Sequence, residues 1–517
     1  MKKNEEFELK ITDLSDEGAG IGRTYETGPE ESGAGFIWFV KDAMIGDRII
    51  AAATKIKKNY GFARLIRILE SSPDRVTPPC PEARRCGGCQ IQQMSYGAQL
   101  KFKENKVLND LVRIGGFDPA EFQFDPIIGM EDPWRYRNKA VYPVGRDRDG
   151  RLIAGFYAGR THSIISCEDC LLGEEQNRDI LRVVLQHMEE NHIAPYDEEN
   201  HSGTVRHILI RKGRHTGELM ISIVINADRL KTADELGMKL KAAFPELKSF
   251  SLCVNRERTN VIMGTELINV LGPGYIEDKI REIVCEPDKA SAGYSFADAG
   301  RMPVSFKISP LSFFQVNPSQ MERLYGTALE FAGLSGQETV WDLYCGVGTI
   351  SLFLSRHAKK AYGVEVIPAA IENAKENAEL NHITNTEFFV GRAEDVLPQW
   401  FEKQQAAADK DAYVDVIVVD PPRKGCDIRC LETMTAIGPE RIVYVSCDPA
   451  TLARDLKYLC GHGYELKKVR TCDMFPHTVH VETVCLLSKK NAKPKDCVEI
   501  SVDAEDYYRI KSSEKDI

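Results

Sequence analysis

At 517 residues and roughly 150 per domain, the chain has room for about three domains, each burying its own core. Hydrophobic residues at 43% and charged residues at 28% exclude wholesale disorder, and no run approaches the ~18 apolar residues of a membrane-spanning helix. A net charge of −10 excludes a chain that coats nucleic acid indiscriminately, while leaving room for local basic surfaces.

The opening MKKNEEFELK lacks the apolar core of a signal peptide, so the expectation is a cytosolic protein with no membrane attachment. Fifteen cysteines over this length are too dilute for a secreted disulfide scaffold. In a reducing compartment, clustered cysteines point to a metal and isolated ones to packing or catalysis. Nothing in the sequence calls for a stable protein partner.

Residues 1–70 read as short strands between glycine-rich turns. FELKITDL, GFIWFV, RIIAAATKIKK and GFARLIRIL follow at the spacing of a small OB-like β-barrel. Lys55 to Arg67 carries five basic residues and no acid, with Tyr60 and Phe62 between them. Arg135 to Arg160 sets seven basic residues against two acids, with Tyr136, Tyr142, Phe156 and Tyr157 interleaved. Basic side chains suit phosphates and aromatic faces suit unstacked bases, although each stretch alone reads equally as a solvated strand face.

After a linker at SSPDRVTPP, residues 71–310 mix strands and helices, the pattern of a central α+β domain. ILRVVLQHMEEN and ADELGMKLKAAF read as helices; TVRHILIRKG and ELMISIVIN read as paired strands. Over 311–490, short apolar strands alternate with helices: TVWDLY, AYGVEV, TEFFVG, VDVIVVD and RIVYVSC. That alternation predicts a doubly wound, Rossmann-like α/β domain with a largely parallel sheet. Residues 491–517 show no core pattern and read as a loose tail.

Asp342-Leu343-Tyr344-Cys345-Gly346-Val347-Gly348 lies where a strand gives way to a helix, and its glycines allow a sharp turn and close approach to a ligand. Glu365 ends the next strand, where an acid typically accepts hydrogen bonds from ribose hydroxyls. A dinucleotide fingerprint wants a third glycine, and position 351 is serine. The leading aspartate of D-x-x-C-G-x-G is instead a habit of methyltransferases, which points to S-adenosylmethionine. Asp420, in Asp-Pro-Pro-Arg, ends another strand at the same edge.

Cys447 closes RIVYVSC at that edge too. A lone cysteine is usually an inert small hydrophobe, yet a thiolate there has a chemical task. Uracil C5 is too weak a nucleophile to take a methyl group until a thiolate adds at C6 and moves electron density to C5. A base must then remove the C5 proton before the enzyme is released. His477, His480 and Glu482 in FPHTVHVE are candidates, and spacing does not choose among them.

Cys80-x5-Cys86-Gly-Gly-Cys89 is a tight cluster favouring a soft metal site. A zinc ribbon would need a second close pair, which Cys167 and Cys170 could supply.

Together these residues resemble the RNA uracil-C5 methyltransferase family, in the branch with an N-terminal TRAM barrel and a [4Fe-4S] cluster that modifies 23S ribosomal RNA. The resemblance runs to about residue 490. It implies that Gln315 in SFFQVNP, Tyr344, Glu365 and Asp420 contact the methyl donor. It makes Cys447, in VSCDPATLARD, the nucleophile, and selects Glu482 over the histidines as the base. Thr349 stands where many relatives carry asparagine, so no contact carries over there. The family's three cysteines and a distant fourth point to Cys80, Cys86, Cys89 and Cys170, with Cys167 the departure. A radical methylthiolating enzyme would need C-x3-C-x2-C, which is absent. The cluster would act in structure or RNA binding, because methyl transfer needs no electron. The implied substrate is a uridine of structured RNA, 23S ribosomal RNA first. The alternatives are transfer RNA, and an RNA-binding or ribosome-assembly factor without catalysis.

Overall fold

The computed structural model describes residues 2–25, 35–159, 161–167, 169–288, 293–406 and 413–490. The expected tail at 491–517 lies outside them.

The first strands, Glu6–Leu14, Gly20–Thr24, Phe36–Lys41, Arg48–Ile56 and Tyr60–Glu70, close into a barrel. Alternation along each strand sends Leu9, Ile11, Trp38, Val40, Ile49, Ala51 and Ala63 into its core. It leaves Phe39, Tyr60 and Phe62 as an aromatic group on the outside, with ring centroids 5.6–5.8 Å apart. Basic and aromatic residues of the 55–67 stretch therefore share an outer face.

A seven-stranded sheet forms the middle of the molecule, in the order 266–271, 247–254, 219–225, 205–212, 139–146, 152–157 and 164–166. Its central strands are buried on both faces, which is why they read as unbroken apolar runs. Ile208, Ile210, Ile221 and Ile223 pack under the helices Asn177–Glu190 and Ala233–Ala243. Leu209 and Met220 point the other way, into the core shared with the C-terminal domain. The 135–160 stretch is not an open aromatic surface: Tyr142 packs in this core and Tyr136 is buried with its hydroxyl donating to the Pro476 carbonyl.

The C-terminal sheet has eight strands in the order 386–390, 360–365, 339–343, 416–419, 441–446, 482–489, 464–472 and 123–128. The first five are mutually parallel; 482–489 runs against both neighbours. Alternate residues feed two apolar layers. Val340, Val416, Val418 and Val443 pack towards the helices Pro318–Ala332 and Thr349–Ser355, whereas Trp341, Ile417, Val419 and Tyr444 face the helices Ala393–Ala406, Ile428–Ile437 and Pro449–Gly461. The edge strand Gln123–Ile128 comes from the stretch expected in the central domain. The helix Tyr96–Asp110 before it also adds Val107 to this core. No helix among the described residues is long and apolar enough to cross a membrane.

Candidate active site

Parallel strands deliver their carboxyl ends to one edge of the sheet, and the predicted donor residues gather there. Tyr344 and Cys345 donate their backbone N–H groups to the Val364 carbonyl at 2.9 and 3.0 Å, stitching the loop to the next strand. Tyr344 itself adopts a left-handed φ of 74°, followed by Gly346 at 56° and Gly348 at 81°. Glu365 closes the neighbouring strand and accepts from the N–H groups of Gly346 at 3.3 Å and Ile367 at 3.0 Å.

This edge is shaped for a ligand. A side-chain carbon at Gly346 would meet no atom within 4 Å. Asp342 Oδ1 is buried without a hydrogen-bond partner, while Oδ2 accepts from Ser351 Oγ at 2.5 Å. The serine that breaks the dinucleotide pattern is thus an anchor for the leading aspartate. Beside Glu365, three apolar residues stay about half exposed: Val366, Ile367 and Val390, the last paired with Glu365 across the strands. A flat, apolar base next to a ribose-binding acid fits that wall.

Charge at the edge points the same way. Burial, with Glu365 adding repulsion, pushes the Asp342 carboxyl up to about 7 against the Ser351 hydrogen bond. Burial and then Asp342 push Asp420 up to about 7. Acids crowded until they hold protons suit a cationic ligand, and the donor's sulfonium and ammonium are cationic. Gln315 is 9% exposed and lies between the strand Val304–Ile308 and the helix Pro318–Ala332; its carbonyl accepts from Asn138 Nδ2 at 3.3 Å.

The strand pair 441–446 and 482–489 brings the expected nucleophile and base together. Ser446 is in register with Thr483 as the last pair of this ladder, so Cys447, just past the end of one strand, and Glu482, the first residue of the other, flank the same end of it. An antiparallel strand is what places a strand's first residue, Glu482, at the edge where its neighbour's last residue arrives. Cys447 is partly exposed; burial first, then the charges of Glu482 and Asp420, push its thiol up to about 11. Glu482 is 4% exposed, and burial with Asp420 nearby raises its carboxyl well above the usual range. Arg423 opposes both shifts. It also lines a cleft shared with the barrel. Its place in Asp-Pro-Pro-Arg was a signal available in the sequence.

The two histidines take other places. His477 is buried, stacked on Trp134 with ring centroids 3.7 Å apart. His480 lines the cleft, and burial plus Arg423 push its imidazole down to about 4, so it is neutral.

That cleft, about 1490 Å³, is walled by Phe39, Lys41, Tyr60 and Phe62 of the barrel, by Cys86 and Cys89, and by Arg423 and His480.

Cys80, Cys86, Cys89, Cys167 and Cys170 are near enough to feel one another's charge. Cys86 pairs with Ala158 across a β-bridge and its sulfur accepts from Gly88 N–H at 3.4 Å. Cys170 accepts from Cys167 and from the N–H groups of Leu172 and Gly173, which lower its thiol. Burial pushes Cys89 up to about 12. Among the described residues, however, no group of three or more His, Cys, Asp or Glu side chains is disposed to hold a metal ion.

Comparison with known proteins agrees with this geometry. The family described as tRNA (Uracil-5-)-methyltransferase matches residues 295–490 and the TRAM domain matches residues 2–66. An uncharacterized RNA methyltransferase of Halalkalibacterium halodurans is 45% identical over 491 residues, covering 95% of this chain and 98% of the relative. One from Clostridium acetobutylicum is 43% identical over 489 residues, covering 95% and 98%. Among solved structures, the Pyrococcus abyssi tRNA (uracil-54, C5)-methyltransferase in complex with S-adenosyl-L-homocysteine is 26% identical. It superposes with a TM-score of 0.67 over 93% of this chain and 99% of that one. The chain belongs to the RNA methyltransferase family described as tRNA (uracil-5-)-methyltransferases, with a TRAM domain at its amino end.

Proposed function

We propose that this protein transfers a methyl group from S-adenosylmethionine to C5 of a uridine in structured RNA. The observation that carries the reading is the meeting of Cys447 and Glu482 at one end of a strand pair, near enough for the carboxyl's charge to act on the thiol, beside an acid-lined loop. The donor supplies the methyl group as a sulfonium substituent. Gln315, Tyr344, Glu365 and Asp420 bind it.

Cys447 adds to C6 as the thiolate, forming a C–S bond and sending the ring's electron pair towards C5 and O4. C5 then takes the methyl group. Glu482, as carboxylate, accepts the C5 proton; the C6–S bond breaks and the thiolate leaves. Burial shifts both groups towards their protonated forms, and Arg423 is the cation at hand to oppose that shift as substrate enters. The barrel aromatics and the cleft grip single-stranded RNA while the target base leaves its stack, at a few kcal/mol. The enzyme works in the cytoplasm.

We take 23S ribosomal RNA as the substrate, on the resemblance of the barrel and cysteine set to that branch. Transfer RNA is the second reading, favoured by the likeness to the Pyrococcus abyssi enzyme. We further propose that Cys80, Cys86, Cys89 and Cys170 hold a [4Fe-4S] cluster. The chemistry of the donor set supports this, since Cys86 and Cys170 accept N–H hydrogen bonds of the kind that stabilise cluster sulfur, although the thiols as described are not gathered around a metal position and would have to close on the cluster. Anaerobic purification should give four iron and four sulfide per chain (an order-of-magnitude match, ~4 each, to a cubane); zinc alone would refute the cluster.

RNA carrying 5-fluorouridine tests the reaction, because fluorine cannot leave as a proton. The parent enzyme with donor should form an SDS-stable adduct through Cys447. A Cys447→Ala variant that still bound donor and still formed the adduct would refute the assignment.

A further inference from the structure

Glu482 opens its strand directly after the segment Asp473–Val481, and the hold on that segment is unusual. Five consecutive carbonyls, Asp473 to His477, each accept a hydrogen bond from a distant part of the chain. Gln320 Nε2 donates to Asp473 O at 3.1 Å, Asn317 Nδ2 to Met474 O at 3.0 Å, and Lys103 Nζ to Phe475 O at 3.0 Å. The Tyr136 hydroxyl donates to Pro476 O at 3.1 Å, and the N–H groups of Gln90 and Ile91 donate to His477 O at 3.1 and 3.2 Å. Buried carbonyls need partners, but secondary structure normally supplies them. Here the linker after Cys89, the helix Tyr96–Asp110, the segment leading into the strand Lys139–Arg146 and the start of the helix Pro318–Ala332 all hold one short stretch of backbone.

The stretch closes on His477, whose φ of 67° is left-handed. Histidine visits that region more readily than most residues, and the surroundings must hold it there. One side chain holds it twice. Gln99, 1% exposed, accepts from His477 N–H through Oε1 at 2.9 Å. Its amide nitrogen lies 3.2 Å from His477 Nδ1 and donates to the Met94 carbonyl at 2.9 Å. Nδ1 is therefore the acceptor, the ring is neutral, and Trp134 stacks flat against it at 18°. Val479, two residues on, packs in a small core with Leu14 and Met44 of the barrel, Ile91 and Phe102.

We propose that Gln99 is a positioning residue for the catalytic base: by fixing the left-handed turn at His477 it sets where Glu482 meets the C5 proton. The proposal rests on the reading of Glu482 as proton acceptor. It assigns Gln99 no contact with substrate or donor. Loss of its grip affects the step Glu482 performs, after methyl transfer, and leaves donor and RNA binding to other residues. A misplacement of about 1 Å costs on the order of a hundred-fold in rate.

Two variants test this. Gln99→Met keeps the volume and removes both hydrogen bonds. Gln99→Glu keeps the acceptor for His477 N–H but turns an oxygen towards His477 Nδ1 and the Met94 carbonyl, both acceptors, so the grip returns only when a proton is shared between them. Each is assayed for tritium release from RNA labelled at uracil C5, for covalent adduct on denaturing gels, and for donor affinity by equilibrium dialysis.

The expected result for Gln99→Met is turnover lowered about 10- to 100-fold, adduct accumulating, and donor affinity and KM for RNA within about two-fold of the parent. Gln99→Glu should accumulate adduct at alkaline pH and recover turnover, relative to the parent, as the pH falls. Parental turnover in both variants would overturn the proposal. So would losses that track donor binding without adduct, which is what a purely structural role produces. If Gln99→Met fails to fold, the pH response of Gln99→Glu decides alone, and a flat response overturns the proposal. A parent enzyme that itself neither releases tritium nor forms adduct would overturn the reading of Glu482, and this proposal with it. An active parent with indifferent variants overturns only this proposal.

Discussion

Glu482→Gln should separate methyl transfer from proton removal. The carboxyl is 4% exposed and its acidity is suppressed by burial first and Asp420 second, with Arg423 in partial opposition. Burial therefore shifts it towards its protonated form in the empty enzyme. An amide of the same shape matches the protonated carboxyl, so stability at or below about pH 4 should stay within about 0.5 kcal/mol of the parent. The pH dependence then has a definite sign. A carboxyl with a raised native pKa contributes fully below its unfolded value, near 4.3, and that contribution is lost as pH rises through the native value. Within that window the variant should gain on the parent by up to about 1.4 kcal/mol per pH unit. Catalytically, a missing general base costs about 10²–10⁴ in rate, or about 3–5 kcal/mol on the proton-removal barrier. Methylated RNA should therefore stay bound to Cys447 as a covalent adduct on denaturing gels, with tritium release from C5 nearly absent. Parental tritium release, or lost turnover with no adduct under trapping conditions, would show that Glu482 is not the base.

Because the Cys447 thiol is pushed up to about 11, thiolate is the minor form at neutral pH. The single-turnover rate should climb nearly ten-fold per unit between about pH 7 and 9; a flat profile by rapid quench would contradict that. Gly346→Ala should fold at a cost of about 1–2 kcal/mol, from its φ of 56°, but lose donor affinity by calorimetry because the new methyl enters the open donor space. Gly348→Ala should show the larger fall in Tm: its added carbon lies 3.1 Å from Ala374 Cβ and 3.3 Å from the Phe388 ring. Lys103→Met leaves Asp473 buried with the Tyr96 hydroxyl as its side-chain partner among the described residues, and should cost about 3–5 kcal/mol in urea unfolding. Lys103→Met with Asp473→Leu should recover most of that loss. If the pair is no better than the single variant, the ion pair is not the reason.

The donor half of the site was legible because parallel strands announce themselves as short apolar runs and their carboxyl ends share an edge. Tyr344, Glu365, Asp420 and Cys447 could each be placed there from the pattern alone. Glu482 could not, because its position depends on a strand running the opposite way, and only the register of Ser446 with Thr483 brings it level with Cys447. For the same reason FPHTVHVE offered three candidates, and the structure turns one histidine into a buried anchor and another into a cleft wall. The strand Gln123–Ile128 gave no sign that it would pair with residues some 345 positions later, since an edge strand carries no label of its partner. Tyr136 and Tyr142 looked like stacking surfaces in a basic stretch and are core residues, because interleaved charge on a strand fits a half-buried face as well as an RNA surface. Cys167 lacked a role in the family pattern; its thiol hydrogen-bonds Cys170.

The measurement closest to the central claim is release of tritium from RNA labelled at uracil C5, with and without S-adenosylmethionine, on 23S ribosomal RNA and transfer RNA separately. The account predicts donor-dependent release from 23S RNA, lost in Cys447→Ala. Release from transfer RNA alone would keep the chemistry and change the substrate. No release from either RNA, with donor binding intact, would contradict C5 methylation itself.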